Sequence, residues 1–366
     1  MAEAARILAA SARPVIVVVG DVPQCGAVGE AVAIAEMLGA AVFGEPYFAH
    51  MGFPNTHRLF AGRFTANDEL VRRADAILAL GVEFTSQSPS PVFPAGDAKL
   101  IVLAAEAVAL GKQVWPDLGL VGHAKATLAA LRAMLEKSGA KGSAAWTGEV
   151  EGHCAELRSL AESEARRGWD DTPVRIPRLI GEIEAVFGTD ALIVDHATTA
   201  SAHIWQLCDF SNPQRYFGLS ARASAQGWGV PASIGVQIAR PEQRVVAIVG
   251  DGGFMFTSTA LYAAAQWQTR NVFIVLRNGG WHDIAYLVKE KMGWSAEEAV
   301  AFGIAGQPQI DYAGLAKSLA VESLRVDSAE QLPAALAHAR ACMGSVLIDL
   351  KSDPKKIEYY VSYMSR

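Results

Sequence analysis

Short, wholly apolar runs that stop at glycine constrain this chain more than any other feature. PVIVVVG at 14–20, AILALG at 76–81 and VVAIVG at 245–250 are strand length and show no polar alternation. Such runs suit strands buried on both faces, as in a parallel sheet with helices above and below it. Ala/Leu-rich stretches between the runs supply the helices. In the first half the pattern predicts strands at 14–20, 41–43, 76–80 and 99–103, with helices at 26–38, 67–73 and 124–135. In the second half it predicts strands at 191–194, 245–249, 272–276 and 346–350. Helices are expected there at 178–186, 231–239, 257–268, 310–319 and 329–341. This is the grammar of an α/β protein with two doubly wound domains and mostly parallel sheets.

The stretch that opens KSGAKGSAA at Lys137 and continues with charged, helix-compatible sequence around Glu149–Arg167 reads as an exposed connector beside a polar helix. We therefore expect one domain over 1–140, a linker over 141–176 and a second domain over 177–366. A chain of 366 residues accommodates two domains of ordinary size. Net charge is −6 and no basic cluster is present, which argues against a nucleic-acid partner. No apolar run approaches the roughly 20 residues that span a bilayer. Arg6 and Arg13 interrupt any signal-peptide layout, so a cytoplasmic location is expected. Cys25, Cys154, Cys208 and Cys342 are far apart and form no CxxC pair, so neither a zinc site nor a disulfide framework is indicated.

Chemistry concentrates in VVAIVGDGGFMFTSTALYAAAQWQTRNVFIVLRNGGW, residues 245–281. One buried strand ends at Gly250-Asp251-Gly252 and a second at Arg277-Asn278-Gly279-Gly280. Parallel strands bring such ends to one sheet edge, where ligands of open α/β sheets bind. A carboxylate, an amide oxygen and a main-chain carbonyl are hard oxygen donors suited to Mg²⁺, with phosphate oxygens and water completing its shell. Gly252 and Gly253 allow close backbone approach, and a helix starting near Phe254 would offer N–H groups to an anion.

GDG, 25 intervening residues (253–277) and an Asn at a strand end resemble the signature of thiamine diphosphate-dependent enzymes. The similarity extends to GWGVPASIGVQ at 227–237, to Thr198 and Thr199 after the strand ALIV, and to the Phe-Pro-x-x-His pattern at 53–57. It covers nearly the whole chain and is greatest for the benzoylformate decarboxylase and acetolactate synthase branch. The resemblance implies a central Rossmann-like domain followed by the diphosphate-binding domain. It implies Mg²⁺ held by Asp251, Asn278 and the Gly280 carbonyl. Thr198, Thr199, Gly252 and Gly253 would hold the diphosphate. Gln226, Gly227, Trp281 and Ile284 would contact the cofactor, Gln226 supporting its bent shape.

That family's first, pyrimidine-binding domain and its glutamate have no counterpart here. The resemblance therefore implies a smaller partner subunit that supplies them, in a heterotetramer with two copies of each chain. The implied activity is a lyase or carboligase on a 2-oxo acid or related carbonyl compound. Decarboxylation and acetolactate synthase-like ligation both remain open, as does a non-catalytic subunit that keeps the fold. A nucleotide in the central domain is weakly supported, since Gly20–Gly26 is not GxGxxG.

Several positions depart from the family. Gln226 replaces a bulky apolar residue, Arg277 the first Asn of a pair, and Gly253 a frequent Ser. Gln87 stands near the place of a central-domain histidine. His282 is the candidate acid–base residue, against a plain surface-loop histidine. His196 divides evenly between a rim role and a structural one. Trp205, Trp228, Trp267 and Trp294 read as core or interface, and His57 as a local cap or packing residue.

Overall fold

Every strand pairing among the described residues is parallel. In the first sheet β1 (Pro14–Val18), β2 (Ala41–Gly44), β3 (Phe60–Arg63), β4 (Ala76–Leu80), β5 (Lys99–Ala104) and β6 (Leu118–Val121) stand in the order β3-β2-β1-β4-β5-β6. This is the doubly wound order of dinucleotide-binding folds. The second sheet is built from β7 (Leu192–His196), β8 (Tyr216–Gly218), β9 (Val245–Gly250), β10 (Val272–Arg277), β11 (Glu322–Val326) and β12 (Val346–Lys351). Its order is β11-β12-β10-β9-β7-β8. The computed structural model describes residues 1–45, 50–82, 84, 93, 96–218, 225–295, 297–298 and 310–352, with the backbone alone at 283, 286, 287, 290 and 291. Gln87 lies outside the described residues.

The apolar runs behave as two-faced strands. In β9, Val246 and Ile248 enter a core cluster shared with the first domain, while Val245, Ala247 and Val249 enter a second cluster. In β10, Val272, Ile274 and Leu276 face the first cluster, and Phe273 and Val275 the second. The period of two assigns one face to each cluster, and both faces are covered.

The expected connector holds the polar helix read from its sequence, and that helix also packs along one buried seam. Within 141–176 a 23-residue helix, Ala144–Arg166, starts at the Ser143 cap, whose hydroxyl accepts from Trp146 N. Trp146, Val150 and Cys154 are buried along one seam. The helix is fastened to the first domain by ion pairs Arg73–Glu149 (2.8 Å) and Arg58–Glu151, and by Trp146 Nε1 donating to the Pro14 carbonyl. Its many charges keep most of it in contact with solvent, while its narrow apolar seam packs inward. A second tie crosses the halves. Asn55 Nδ2 donates to the carbonyls of Trp205 and Cys208, both at 2.8 Å, and Asn55 Oδ1 accepts from Phe210 N at 2.9 Å. His57 packs locally, as expected, edge-on against Phe53.

Boundaries shift elsewhere. The expected 257–268 helix is a 3₁₀ turn, Ser258–Ala260, followed by the helix Leu261–Gln266. The helix expected near Phe254 begins at Asp251 and ends at Met255.

Arg277 turns toward β12. Its Nε donates to Asp349 and its Nη2 to Asp327, each at 2.6 Å, and Asp349 is fully buried. Removing one member of a buried pair strands the other charge. Arg277→Ala is expected to cost about 3–5 kcal/mol in urea denaturation. The double variant Arg277→Met/Asp349→Leu should recover most of that loss. Equal stability of wild type and Arg277→Ala would refute this account of the pair.

Candidate active site

Register sets the site. His196 of β7 pairs with Val249 of β9, and Val249 with Val275 of β10. The three strands therefore end level, and Asp251 and Asn278 follow at the same edge. After β7 the chain passes to β8 on one side, while β9 flanks β7 on the other. The cavity lies at this switch point, as expected for an open parallel sheet.

A cavity of about 240 Å³ opens there, lined by His196, Thr198, Thr199, Gln226, Gly250–Gly253, Phe256, Asn278, Gly280–His282 and Ile284. Of the residues expected from sequence, Thr198, Thr199, Gln226, Asp251, Gly252, Gly253, Asn278, Gly280, Trp281, His282 and Ile284 meet in it. Gly227 does not line it; its carbonyl accepts from the Thr257 hydroxyl behind the rim. His196, read as divided between a rim role and a structural one, also lines it, and Gly250 and Phe256 are additions. Arg277 is absent from the lining, so its substitution adds no charge to the cavity.

Asp251 is buried. Its Oδ1 accepts from Gly252 N at 2.8 Å, and its Oδ2 from Asn278 N at 3.1 Å and Gly279 N at 3.0 Å. Burial raises the pKa of this carboxyl above its ordinary value, and the three N–H bonds oppose the rise. No cationic side chain forms an ion pair with it among the described residues. Asn278 Oδ1 accepts from Gly280 N at 3.2 Å, which folds the loop so that amide oxygen and backbone lie together. A buried carboxylate without a counter-charge, beside an amide oxygen, fits a hard divalent cation. Thr198, at φ 47°, holds a left-handed conformation that is uncommon for a β-branched residue, and such strain gathers at functional sites.

His282 is buried rather than on a surface loop. Its Nε2 lies 3.0 Å from the Asn278 carbonyl, and its Nδ1 is buried without a partner. So placed, the ring braces the Asn278–Gly280 loop, and the expected acid–base role gains no support from its geometry. The apolar rim is open: Phe256 is 60% exposed and Trp281 50%, their rings stacked at 6.3 Å.

Behind the site Asp195 is buried. It accepts from Ala197 N (3.0 Å), Ser201 Oγ (2.9 Å) and Tyr216 Oη (3.0 Å), and Trp205 Nε1 donates to Tyr216 Oη at 2.6 Å. This network fixes the turn that carries Thr198 and Thr199. Burial lifts the Asp195 pKa to about 6 against three opposing hydrogen bonds. The folded chain thus keeps a proton that the unfolded chain, near 3.8, releases. The resulting stability is complete below about pH 4 and is lost as pH rises through about 6. Asp195→Asn has no such loss. Its stability relative to wild type should climb by up to about 3 kcal/mol between pH 4 and 7, then level. Denaturation across that range checks this, and a pH-independent difference would refute it.

Comparison with known proteins places this geometry. Residues 1–131 match the model described as "Thiamine pyrophosphate enzyme, central domain", and 197–350 match "Thiamine pyrophosphate enzyme, C-terminal TPP binding domain". Benzoylformate decarboxylase of Pseudomonas aeruginosa is 29% identical over 360 residues, covering 96% of this chain and 63% of that protein. A probable acetolactate synthase large subunit of Methanocaldococcus jannaschii is 26% identical over 373 residues, covering 96% and 59%. The solved thiamine diphosphate-dependent 4-hydroxybenzoylformate decarboxylase of Rhodococcus jostii RHA1 superposes with a TM-score of 0.78 at 24% identity, over 96% of this chain and 63% of that one. The chain thus spans about three-fifths of the length of the relatives it matches. Among the described residues no helix is long and apolar enough to cross a membrane.

Proposed function

Because the chain belongs to the thiamine diphosphate-dependent enzyme family, we propose that it is the large subunit of a Mg²⁺-dependent lyase or carboligase acting on a 2-oxo acid or related carbonyl compound. The observation that carries the reading is Asp251: a buried carboxylate with three backbone donors and, among the described residues, no cationic side chain in an ion pair with it. Asp251, Asn278 Oδ1 and the Gly280 carbonyl would hold Mg²⁺. Thr198, Thr199 and the backbone at Gly252 and Gly253 would take the diphosphate. Trp281 and Ile284 would wall the cofactor, and Gln226 would support it. When bound, thiamine diphosphate supplies a carbon nucleophile for a carbonyl and a sink for the electron pair of the broken C–C bond. The protein's part is to grip, orient and exclude water.

The exposed Phe256–Trp281 stack at the cavity mouth supports a covering partner. We assign that cover to a pyrimidine-binding domain on a separate smaller chain, which brings the glutamate, in a heterotetramer. Four free cysteines suit the reducing cytoplasm.

Two measurements test the reading. Calorimetry with Mg²⁺ and thiamine diphosphate should show binding by the assembled protein and at least a hundredfold weaker binding by Asp251→Ala, a change worth about 2.7 kcal/mol. Unchanged affinity would remove Asp251 from the metal site. Native mass spectrometry from the natural source should show a second chain of roughly 150–200 residues, one domain by ordinary size. A homo-oligomer would overturn the separate-subunit arrangement. Product analysis then separates aldehyde release from acyloin formation.

A further inference from the structure

A side chain supports a bound molecule only when it is itself held in place, and Gln226 is long and exposed at the cavity. Its backbone is fixed from one side. Gly227 takes a left-handed φ of 86°, a Cβ there would fall 2.7 Å from Phe256 Cβ, and its carbonyl accepts from the Thr257 hydroxyl. The side chain is held from the other side. Gln226 Oε1 lies 3.1 Å from His196 Nε2, across 30 positions of chain, and this is its one hydrogen bond among the described residues.

His196 is locked into the fold. It ends β7 and is 2% exposed. Its imidazole sits in a slot made by two glycines. A Cβ at Gly229 would fall 2.6 Å from His196 Cβ, and one at Gly253 would fall 2.8 Å from His196 Cε1. Any side chain at either position would displace the ring. Trp228 closes the slot with its ring centroid 5.7 Å away. The Nδ1 atom is buried in this slot without a partner. Burial lowers the pKa of the ring, so the imidazole is neutral and carries one proton. Contact with an amide oxygen is a hydrogen bond only with that proton on Nε2, so Nδ1 is the bare nitrogen. A fixed donor thus grips the tip of a side chain that is otherwise free to turn.

We propose that His196 is the positioning residue of the cofactor support: it fixes the Gln226 side chain at the cavity wall before thiamine diphosphate binds. The inference rests on the proposed function for the role of Gln226, while the pairing rests on the structure alone. A side chain already anchored loses little rotamer freedom when the cofactor arrives. An unanchored one is ordered only at that moment, which weakens binding several-fold. His196 acts through Gln226, so its contribution to cofactor affinity exists only while residue 226 offers an acceptor.

Calorimetry of thiamine diphosphate with Mg²⁺ on the assembled protein tests this as a double-mutant cycle of uncharged variants. His196→Leu keeps an apolar bulk but has no donor, and should weaken thiamine diphosphate binding about fivefold. His196→Gln, whose amide nitrogen reaches to the place of Nε2, should restore affinity to within about twofold of wild type. In Gln226→Leu, which offers no acceptor, adding His196→Leu should change affinity by less than about twofold. An equal loss from His196→Leu with Gln and with Leu at 226 means that the ring acts on the fold or on the cofactor directly. That result overturns the proposal and leaves the proposed function standing. Long-range ¹H–¹⁵N spectra of the histidine-labelled, cofactor-free wild type test the pair whether or not a variant folds. His196 should be neutral with its proton on Nε2, and a proton on Nδ1 overturns the proposal. A wild-type assembly that binds no thiamine diphosphate overturns both.

Discussion

The level ending of β7, β9 and β10 is the constraint on which the site depends. The ladder that pairs His196 with Val249 and Val249 with Val275 leaves each strand no freedom to slip, because one residue of slip would exchange its two buried faces. Everything chemical follows those ends. Asp251 begins a helix directly after β9, and Asn278 opens a loop directly after β10. Asp251 Oδ2 spans the gap between the two strands, accepting from Asn278 N at 3.1 Å and Gly279 N at 3.0 Å. The sheet thus converts apolar packing energy into placement of a buried carboxylate that water would otherwise solvate.

That placement needs support from below. Asp195, one position before His196, is held by a backbone N–H and two hydroxyls, and Trp205 continues the network outward. Asn55 of the first domain binds the carbonyl of that same Trp205. A continuous set of hydrogen bonds therefore leads from the first domain to the turn at Thr198. The first domain has its own doubly wound sheet, yet its described contacts with the second bear on the support of the site rather than on the cavity lining. Rigid backing of this kind is what a site made of backbone donors and short side chains requires, since none of them can reach to correct a misplacement.

How much of this was legible in the sequence follows from burial. β1, β4, β9 and β10 are wholly or almost wholly buried, so their apolar runs announced them. The sheet-edge strands β3, β6 and β11 did not, because none is a buried run: β3 is mostly half-buried, β6 alternates between half-buried and exposed, and β11 has a single buried residue. The helix Ala144–Arg166 is readable as a polar helix, but its docking is not, because a three-residue buried seam is thin against its charges. The cavity residues Thr198, Asp251 and Asn278 were readable since they sit within a few positions of three strand ends, where sequence distance and spatial distance agree. Arg277 was readable as a departure but not in direction. Only the neighbouring strand shows that Asp349 draws it away from the cavity.

The His196–Gln226 pair marks the limit of such reading, and its logic is one of mutual dependence. Gln226 alone at a cavity would carry an amide oxygen in need of a donor. His196 alone would carry a buried imidazole in need of an acceptor. Glycine at 253, which removes any side chain from that part of the cavity wall, is what admits the ring. Glycine at 229 is needed for the same reason. Four positions spread over 58 residues of chain thus answer to one another through a single bond of 3.1 Å. In sequence each stands as a separate oddity; in space each supplies the condition the others require. A change at one of them therefore acts through the rest, and the four are expected to couple rather than add.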